Sequence, residues 1–196
     1  MVEAHPSPPP LTTVRLDAHA IRVLAHPLRA RILSALRLDG PSTATTLARS
    51  LGTNTGATSY HLRKLEEIGL VEETNEGRGK ERWKRASTAV HQISASSVAG
   101  DPDAAASLTW LQQHYFARVV EGYSAWIEES PASPIEWQDA LSASDYLLTL
   151  STERAGALQA DLDAVIDRYR VMPPEADADT RQVSLNVLSF PVQRKA

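Results

Sequence analysis

The chain has 196 residues, 42% of them apolar, with a formal net charge of −4 and no cysteine. The missing thiols exclude disulfides, thiolate metal sites and cysteine nucleophiles. The apolar runs are only a few residues long, far short of the roughly 20 needed to span a bilayer. Residues 1–13 lack the basic start and apolar run of a secretory signal, and their prolines predict a disordered arm. We therefore expect a cytoplasmic protein.

The charge is distributed unevenly along the chain. Residues 15–90 contain 13 Lys/Arg against 8 Asp/Glu, a balance of +5, whereas residues 101–196 contain 7 against 15, a balance of −8. A basic first part is attracted to phosphates, and an acidic second part is repelled by them. This asymmetry predicts two regions that face different partners.

The basic part begins with helical patterns. Residues 14–38 have apolar side chains at helical spacing, with a break before Pro27. Because proline is tolerated in the first turn of a helix, a new helix is predicted to begin there, and the Asp-Gly-Pro sequence after it ends that helix. A short helix capped by Ser42 or Thr43 and ended by Gly52 follows.

Residues 54–69 predict a helix with two different faces. Thr58, Leu62 and Leu65 fall on the side that would face a core. Short hydroxyl side chains on the other side can contact base edges and phosphates, and cations there can reach the DNA backbone. His61 is interpreted as a partly buried structural residue, with a base contact as the alternative. The outward residues are Thr55, Ser59, Tyr60, Arg63 and Lys64.

A basic hairpin is predicted directly after this helix. Residues 70–74 and 81–85 have strand character, and the intervening loop contains two glycines. Five cations lie within eight residues, which favours contact with phosphates or a minor groove over a merely solvated loop. These cations are Arg78, Lys80, Arg82, Lys84 and Arg85.

Two stretches of this region carry a family resemblance. Residues 25–33 read AHPLRARIL and residues 59–71 read SYHLRKLEEIGLV. With them, residues 17–87 resemble the winged-helix domain of ArsR-type bacterial transcription regulators. The resemblance implies a homodimer that reads a two-fold-symmetric operator with the third helix, usually as a repressor. The predicted DNA-binding residues are Thr43, Asn54, Thr55, Ser59, Tyr60, His61, Arg63, Lys64, Arg78, Lys80 and Arg82.

The sequence departs from the metal-sensing members of that family, whose thiolate ligands have no counterpart in a chain without cysteine. We therefore expect no metal and no other cofactor. Spacing alone leaves open a zinc or nickel site built from dispersed histidines, which are His5, His19, His26, His61, His91 and His114.

The acidic part predicts a helix over residues 104–129, a strand at 146–150, a helix over 151–169 and a last strand at 183–190. This order resembles the extra domain of a subset of actinobacterial-type helix-turn-helix regulators. The apolar stripe of the first helix is wide enough for a partner subunit, and its aromatic residues would also suit a small organic effector. The predicted dimer or effector residues are Leu108, Leu111, Tyr115, Val119, Tyr123 and Trp126.

The predicted fold is mainly α with a small β component. A disordered arm (1–13) precedes a winged helix-turn-helix DNA-binding domain (14–93) and a helical or α+β dimerisation and effector region (104–196). The sequence has no Gly-x-Ser-x-Gly elbow, His-Glu-x-x-His motif or P-loop, so an enzyme is not expected. The predicted function is a sequence-specific, dimeric, DNA-binding transcriptional repressor. The alternative is a winged-helix protein-interaction module without operator binding.

Overall fold

The computed structural model describes residues 14–74, 82–87, 91–92, 95–141, 143–170, 172–173 and 179–192. The chain divides between Arg118 and Val119 into two compact units. This division lies within a long helix, whereas the sequence pattern placed the boundary between residues 94 and 103. The first half of that helix belongs to the core of the amino-terminal unit, which accounts for the later division.

The amino-terminal unit combines helices with short strands. Its complete helices are α1 (Ala18–Leu24), α2 (Pro27–Leu38), α3 (Ala44–Ser50) and α4 (Thr55–Glu67). Its strands are β1 (Val14–Arg15), β2 (Ser42–Thr43), β3 (Val71–Thr74), β4 (Trp83–Ala86) and β5 (His91–Gln92). Strands β2, β4 and β3 form an antiparallel sheet in that order, and β1 pairs with β5 in parallel. This arrangement confirms the predicted helices followed by a wing.

Side-chain caps fix where these helices begin. The Oγ1 atom of Thr43 accepts a hydrogen bond from the Thr46 amide at 3.2 Å, and Asn54 Oδ1 accepts one from the Ala57 amide at 2.8 Å. Such caps satisfy amides that have no partner within the helix. Thr43, rather than Ser42, therefore caps α3. Gly69 has a φ of 71°, the left-handed conformation that lets the chain leave α4 for β3.

One hydrophobic core holds the amino-terminal unit together. Helix α5 (Pro102–Glu129) contributes Ala104, Leu108 and Leu111, all buried against side chains from the other helices. A short 3₁₀ turn (Ala95–Val98) precedes α5 and adds the buried Val98. The remaining buried members include Leu16, Ile21, Leu24, Ile32, Leu33, Leu36, Leu47, Leu62, Leu65, Leu70 and Val71.

The carboxyl-terminal unit contains the end of α5 and the helices α6 (Ile135–Ala140) and α7 (Thr152–Arg170). Helix α7 confirms a predicted helix, whereas α6 was not anticipated. The predicted strands at 146–150 and 183–190 are wrong for this chain alone: neither segment forms a strand or a backbone hydrogen bond with another described residue. A strand requires a neighbour for its backbone groups, and the apolar alternation that predicted these strands does not provide one.

Candidate nucleic-acid interface

Helix α4 separates buried and exposed side chains along its length. Thr58, Leu62 and Leu65 are buried, and the Thr58 hydroxyl donates to the Asn54 carbonyl oxygen at 3.1 Å. This contact ties the start of the helix to its cap. The opposite face presents exposed polar, aromatic and basic groups at Asn54, Thr55, Tyr60 and Arg63, with Ser59 half-buried beside them. The helix therefore holds a polar face outward on a rigid apolar base.

The cations of α4 are held by weak local contacts. Arg63 Nε donates to the Ser59 carbonyl oxygen at 3.4 Å. Lys64 Nζ lies 2.7 Å from a carboxylate oxygen of Glu67 and 6.0 Å from the ring centre of Tyr60. An ion pair this exposed contributes little to stability, so a phosphate can replace the carboxylate at small cost.

The wing cations fall into two groups. Lys84 is buried, with 9% of its surface exposed, and forms ion pairs with Glu66 of α4 and with Glu73 of β3, at 3.0 Å from the latter. Arg85 Nε lies 2.7 Å from the Glu72 carboxylate. These two predicted phosphate contacts are thus engaged within the protein. Alternation along the strand places Lys84 and Arg85 on opposite faces, and each face meets a carboxylate, so the sequence pattern did not distinguish these two cations from Arg82.

Arg82 is exposed directly before β4. Arg78 and Lys80 lie outside the described residues. Among the predicted wing contacts, the structure therefore supports an outward position for Arg82.

A cluster joins α2 and α4: it contains His26, which caps α2, and Arg29 of α2, with Tyr60 and His61 of α4. The rings of His26 and His61 have centroids 4.4 Å apart, and Tyr60 meets His61 edge-on at 5.1 Å. Burial lowers the pKa of His61, and the charges of His26 and Arg29 lower it further. Burial also lowers the pKa of His26, with Arg29 acting in the same direction. His61 is 9% exposed, which favours the structural interpretation over a base contact.

A second polar cluster lies where α2 meets α5. Trp110 and His114 stack with ring centroids 5.0 Å apart, and His114 Nε2 is buried without a hydrogen-bond partner among the described residues. Burial raises the pKa of Tyr115, although its hydrogen bond with Arg37 opposes that change. Burial likewise lowers the pKa of Arg37 against the opposing effect of Tyr115. This cluster therefore contains polar groups held away from water.

The six residues predicted for a dimer or effector contact have different environments. Leu108 and Leu111 are buried in the core of their own chain. Tyr115, Val119 and Trp126 are half-buried, and Tyr123 is exposed. The first two were chosen from helical spacing, which identifies a stripe but cannot assign its parts to an intramolecular or an intermolecular neighbour.

The part of the chain that the structure describes contains no group of three or more His, Asp or Glu side chains arranged to hold a metal ion. None of its helices is long and apolar enough to cross a membrane.

Comparisons with known proteins match the amino-terminal region in sequence. Residues 24–74 match the family model described as a helix-turn-helix domain. A possible transcriptional regulator for arsenical resistance is 30% identical, over 55% of this chain and 96% of that protein, with a TM-score of 0.31. The chain belongs to the ArsR-type winged helix-turn-helix regulators. The family membership rests on the domain match and the sequence identity, since a TM-score of 0.31 carries no structural argument.

Two further solved structures resemble this ArsR-type chain. One is a homodimeric winged helix-turn-helix DNA-binding domain from Mycobacterium bovis, a possible ArsR-family regulator, with 30% identity and a TM-score of 0.31. That match covers 35% of this chain and 64% of the M. bovis domain. The other is the reduced form of HlyU from Vibrio cholerae, 25% identical over 41% of this chain and 76% of HlyU, with a TM-score of 0.31. No curated protein matches significantly. The class of function is DNA-binding transcription regulation.

Proposed function

We propose that the protein binds a specific operator as a homodimer and represses the genes that the operator controls. The observation that carries the proposal is the outward face of α4, where Asn54, Thr55, Tyr60 and Arg63 are exposed above a buried apolar face. A helix with one polar and one buried apolar face can place the polar face in a major groove while the apolar face stays packed in the core. The homodimeric state of the M. bovis domain supports a two-fold arrangement on DNA.

In the proposed complex the amino-terminal turns of α4 lie closest to the base edges. Thr55 and Ser59 would read the sequence, because hydroxyls donate to and accept from base edges at short range. Arg63, Lys64 and the wing residue Arg82 would contact phosphates, which supply affinity without sequence preference. The full proposed interface contains Thr43, Asn54, Thr55, Ser59, Tyr60, Arg63, Lys64, Arg78, Lys80 and Arg82.

The test begins with selection of binding sites by the purified chain from a randomised duplex library. Fluorescence anisotropy then measures affinity for the selected and a scrambled duplex at several salt concentrations. Arg63→Ala or Arg82→Ala should weaken binding to both duplexes and reduce the slope of log affinity against log salt by about 0.9, the value for one phosphate contact. Thr55→Ala should change which sequence is preferred.

A matched control is Arg22→Ala, which removes an equally long cation that forms an ion pair with Asp101 rather than facing outward from α4. Its salt slope should equal that of the unmodified protein. If library selection recovers no sequence, and affinity for any duplex does not depend on salt, operator binding is wrong. The winged helix would then be a protein-interaction module.

We also propose that a small organic effector controls operator binding through the partly buried aromatic cluster of Trp110, His114 and Tyr115. The buried Nε2 atom of His114, which has no hydrogen-bond partner among the described residues, would supply a polar contact of the kind that such ligands need. An effector that binds more tightly to a dimer with misplaced recognition helices would favour that dimer. Operator affinity would then fall by the ratio of the effector's affinities for the two forms of the dimer. The protein would act in the cytoplasm, where operator DNA is available.

Tryptophan fluorescence tests the effector, since Trp110 stacks on His114 and reports on that ring. Titration with a library of small metabolites should change the emission for at least one compound, and Trp110→Phe should remove the change. A flat response to every compound, or a response that persists in Trp110→Phe, would contradict this location.

A further inference from the structure

The carboxyl-terminal unit has no core of its own among the residues that the structure describes. No described residue from 119 to 192 is buried. Large apolar side chains are instead widely exposed, including Tyr146 at 79% and Phe190 at 77%. Ordering a chain costs conformational entropy that only burial and pairing can offset. A unit with defined helices and no buried residue is therefore incomplete as a single copy.

Two segments of this unit are extended and unpaired. Residues 146–150 and 183–190 make no backbone hydrogen bond to another described residue. Both contain several exposed apolar side chains, such as Leu147, Leu185 and Leu188. An extended apolar segment with free amide and carbonyl groups is a template for pairing with another strand. Each segment therefore lacks a neighbouring strand among the described residues.

Helix α7 has an apolar stripe and opposite charges at its two ends. Leu158 and Val165 are exposed on the stripe, and Leu162 lies between them, half-buried. Glu153 is in the first turn, beside Arg154, while Arg168 and Arg170 are in the last. Glu153 and Arg170 are about 25 Å apart along the axis, so they cannot pair within one helix. Arg170 instead lies 2.6 Å from the exposed carboxylate of Asp167, a local ion pair that a second carboxylate can join. Glu153 and Arg170 can pair when a second α7 lies antiparallel to the first.

We propose that a second copy of this chain completes the carboxyl-terminal unit, with the two α7 helices packed antiparallel about a two-fold axis and the extended segments paired as strands between copies. This inference rests on the homodimer proposed above and assigns part of its interface. Placing Glu153 opposite Arg170 brings Leu158 opposite Val165 and puts Leu162 next to the axis.

Charge and symmetry identify the occupant as a second copy. An antiparallel α7 pair places Glu153 of each copy beside Arg170 of the other, and it matches the apolar stripe to itself. A two-fold pair also supplies four extended segments, so each unpaired edge has an equivalent partner. Closed two-fold dimers are the most common homo-oligomers, and in them one surface patch serves both subunits.

The absence of cysteine from the natural sequence makes disulfide crosslinking a clean test. Leu162→Cys places one thiol per chain beside the proposed axis, and Ala160→Cys places a control thiol on the opposite face of α7. The full-length variants are oxidised mildly at micromolar concentration, and covalent dimer is followed on non-reducing gels. A preformed contact gives an effective thiol concentration on the order of millimolar, so Leu162→Cys should crosslink on the order of 100-fold faster than Ala160→Cys.

Amide hydrogen exchange of the unmodified protein tests the strands without a substitution. Amides of residues 146–150 and 183–190 should be protected at concentrations where light scattering shows a dimer, and should lose protection on dilution to monomer. Equal crosslinking rates for the two thiols overturn the α7 pairing. Exchange at the rate of an unfolded chain, at all concentrations, overturns the strand pairing.

Operator binding by the same samples separates this inference from the proposed function. If the protein binds the operator as a dimer but the two cysteine variants crosslink at equal rates, the proposed function stands and the dimer contact lies outside α7. If Leu162→Cys crosslinks rapidly but the protein has no affinity for any selected duplex, the α7 contact is supported and the proposed operator binding is contradicted. A monomer by light scattering that still binds DNA would contradict both the α7 pair and the homodimer.

Discussion

Lys84 connects the recognition helix to the wing, and its replacement gives the sharpest test of how the DNA-binding surface is held. Its ammonium forms ion pairs with Glu66 of α4 and Glu73 of β3, while its side chain is only 11% exposed. Burial alone lowers the pKa of Lys84, but hydrogen bonds to the two carboxylates outweigh burial and raise it. Lys84→Met keeps the length of the side chain and removes the charge.

The expected loss follows from the exposure of the groups left behind. Breaking a fully buried ion pair costs about 3–5 kcal/mol, because the remaining charge has no compensation. The Glu66 side chain is 28% exposed, so water would reach it in the variant and reduce that penalty. We expect Lys84→Met to lower the free energy of unfolding by about 1–2 kcal/mol, close to the value of a hydrogen bond to a charged group. A domain of this size should then melt about 4–12 °C lower.

The matched control is Arg85→Met, the next residue on the strand. Its ion pair with Glu72 is exposed on both sides, with 37% and 46% of the side chains accessible. An exposed pair contributes about 0–1 kcal/mol, so the control should remain close to the unmodified protein. Urea unfolding followed by circular dichroism measures both variants. Operator affinity, measured on the folded protein, should fall for Lys84→Met on every duplex because the wing is no longer fixed to α4.

Lys84→Arg should recover most of the stability if charge at this position is what matters. Equal stability of Lys84→Met and Arg85→Met would refute the buried connection. Unchanged operator affinity in a less stable Lys84→Met would show that Lys84 stabilises the domain without positioning the wing.

Three further predictions concern α4 and its surroundings. Asn54→Ala should destabilise the domain by about 1 kcal/mol in urea unfolding by removing the cap on the Ala57 amide, whereas Asn54→Ser should retain most of the stability. Gly69→Ala should cost about 1–2 kcal/mol by the same measurement because φ is +71°, while Gly122→Ala, within α5 and with open space around it, should be neutral or stabilising. The lowered pKa values of His26 and His61 mean that the unfolded chain binds protons first as pH falls below their ordinary value of 6.5. Stability should therefore decline from pH 7 to pH 5, and the decline should be smaller in His61→Gln; an identical slope in that variant would exclude His61 as a source.

The predicted caps and helix ends depend on local chemistry, which explains why they were recognisable in the sequence. Pro27 at the start of α2, Thr43 and Asn54 as caps, and Gly69 at the end of α4 each act on backbone groups within a few residues. The faces of α4 followed from helical spacing, and burial of Thr58 and Leu62 confirms them. The wing followed from two short strand patterns around a glycine-containing turn.

Contacts between distant residues depended on the tertiary structure. In the sequence Lys84 resembles the neighbouring wing cations, and only the folded structure brings it to Glu73 of the paired strand and to Glu66 of α4. Leu108 and Tyr123 belonged to one helical stripe, yet the first packs inside its own chain and the second is exposed.

The sequence by itself determined the winged helix-turn-helix, its caps and the basic outward face of α4, because these features arise from spacing and from groups close together along the chain. Only the tertiary structure decided which wing cations face outward and which are paired with carboxylates across the fold. It also showed that the apolar pattern at 183–190 has no partner strand within the chain. Pairing of strands and of charges joins residues far apart in sequence, and the apolar or charged character of one segment does not specify its neighbour.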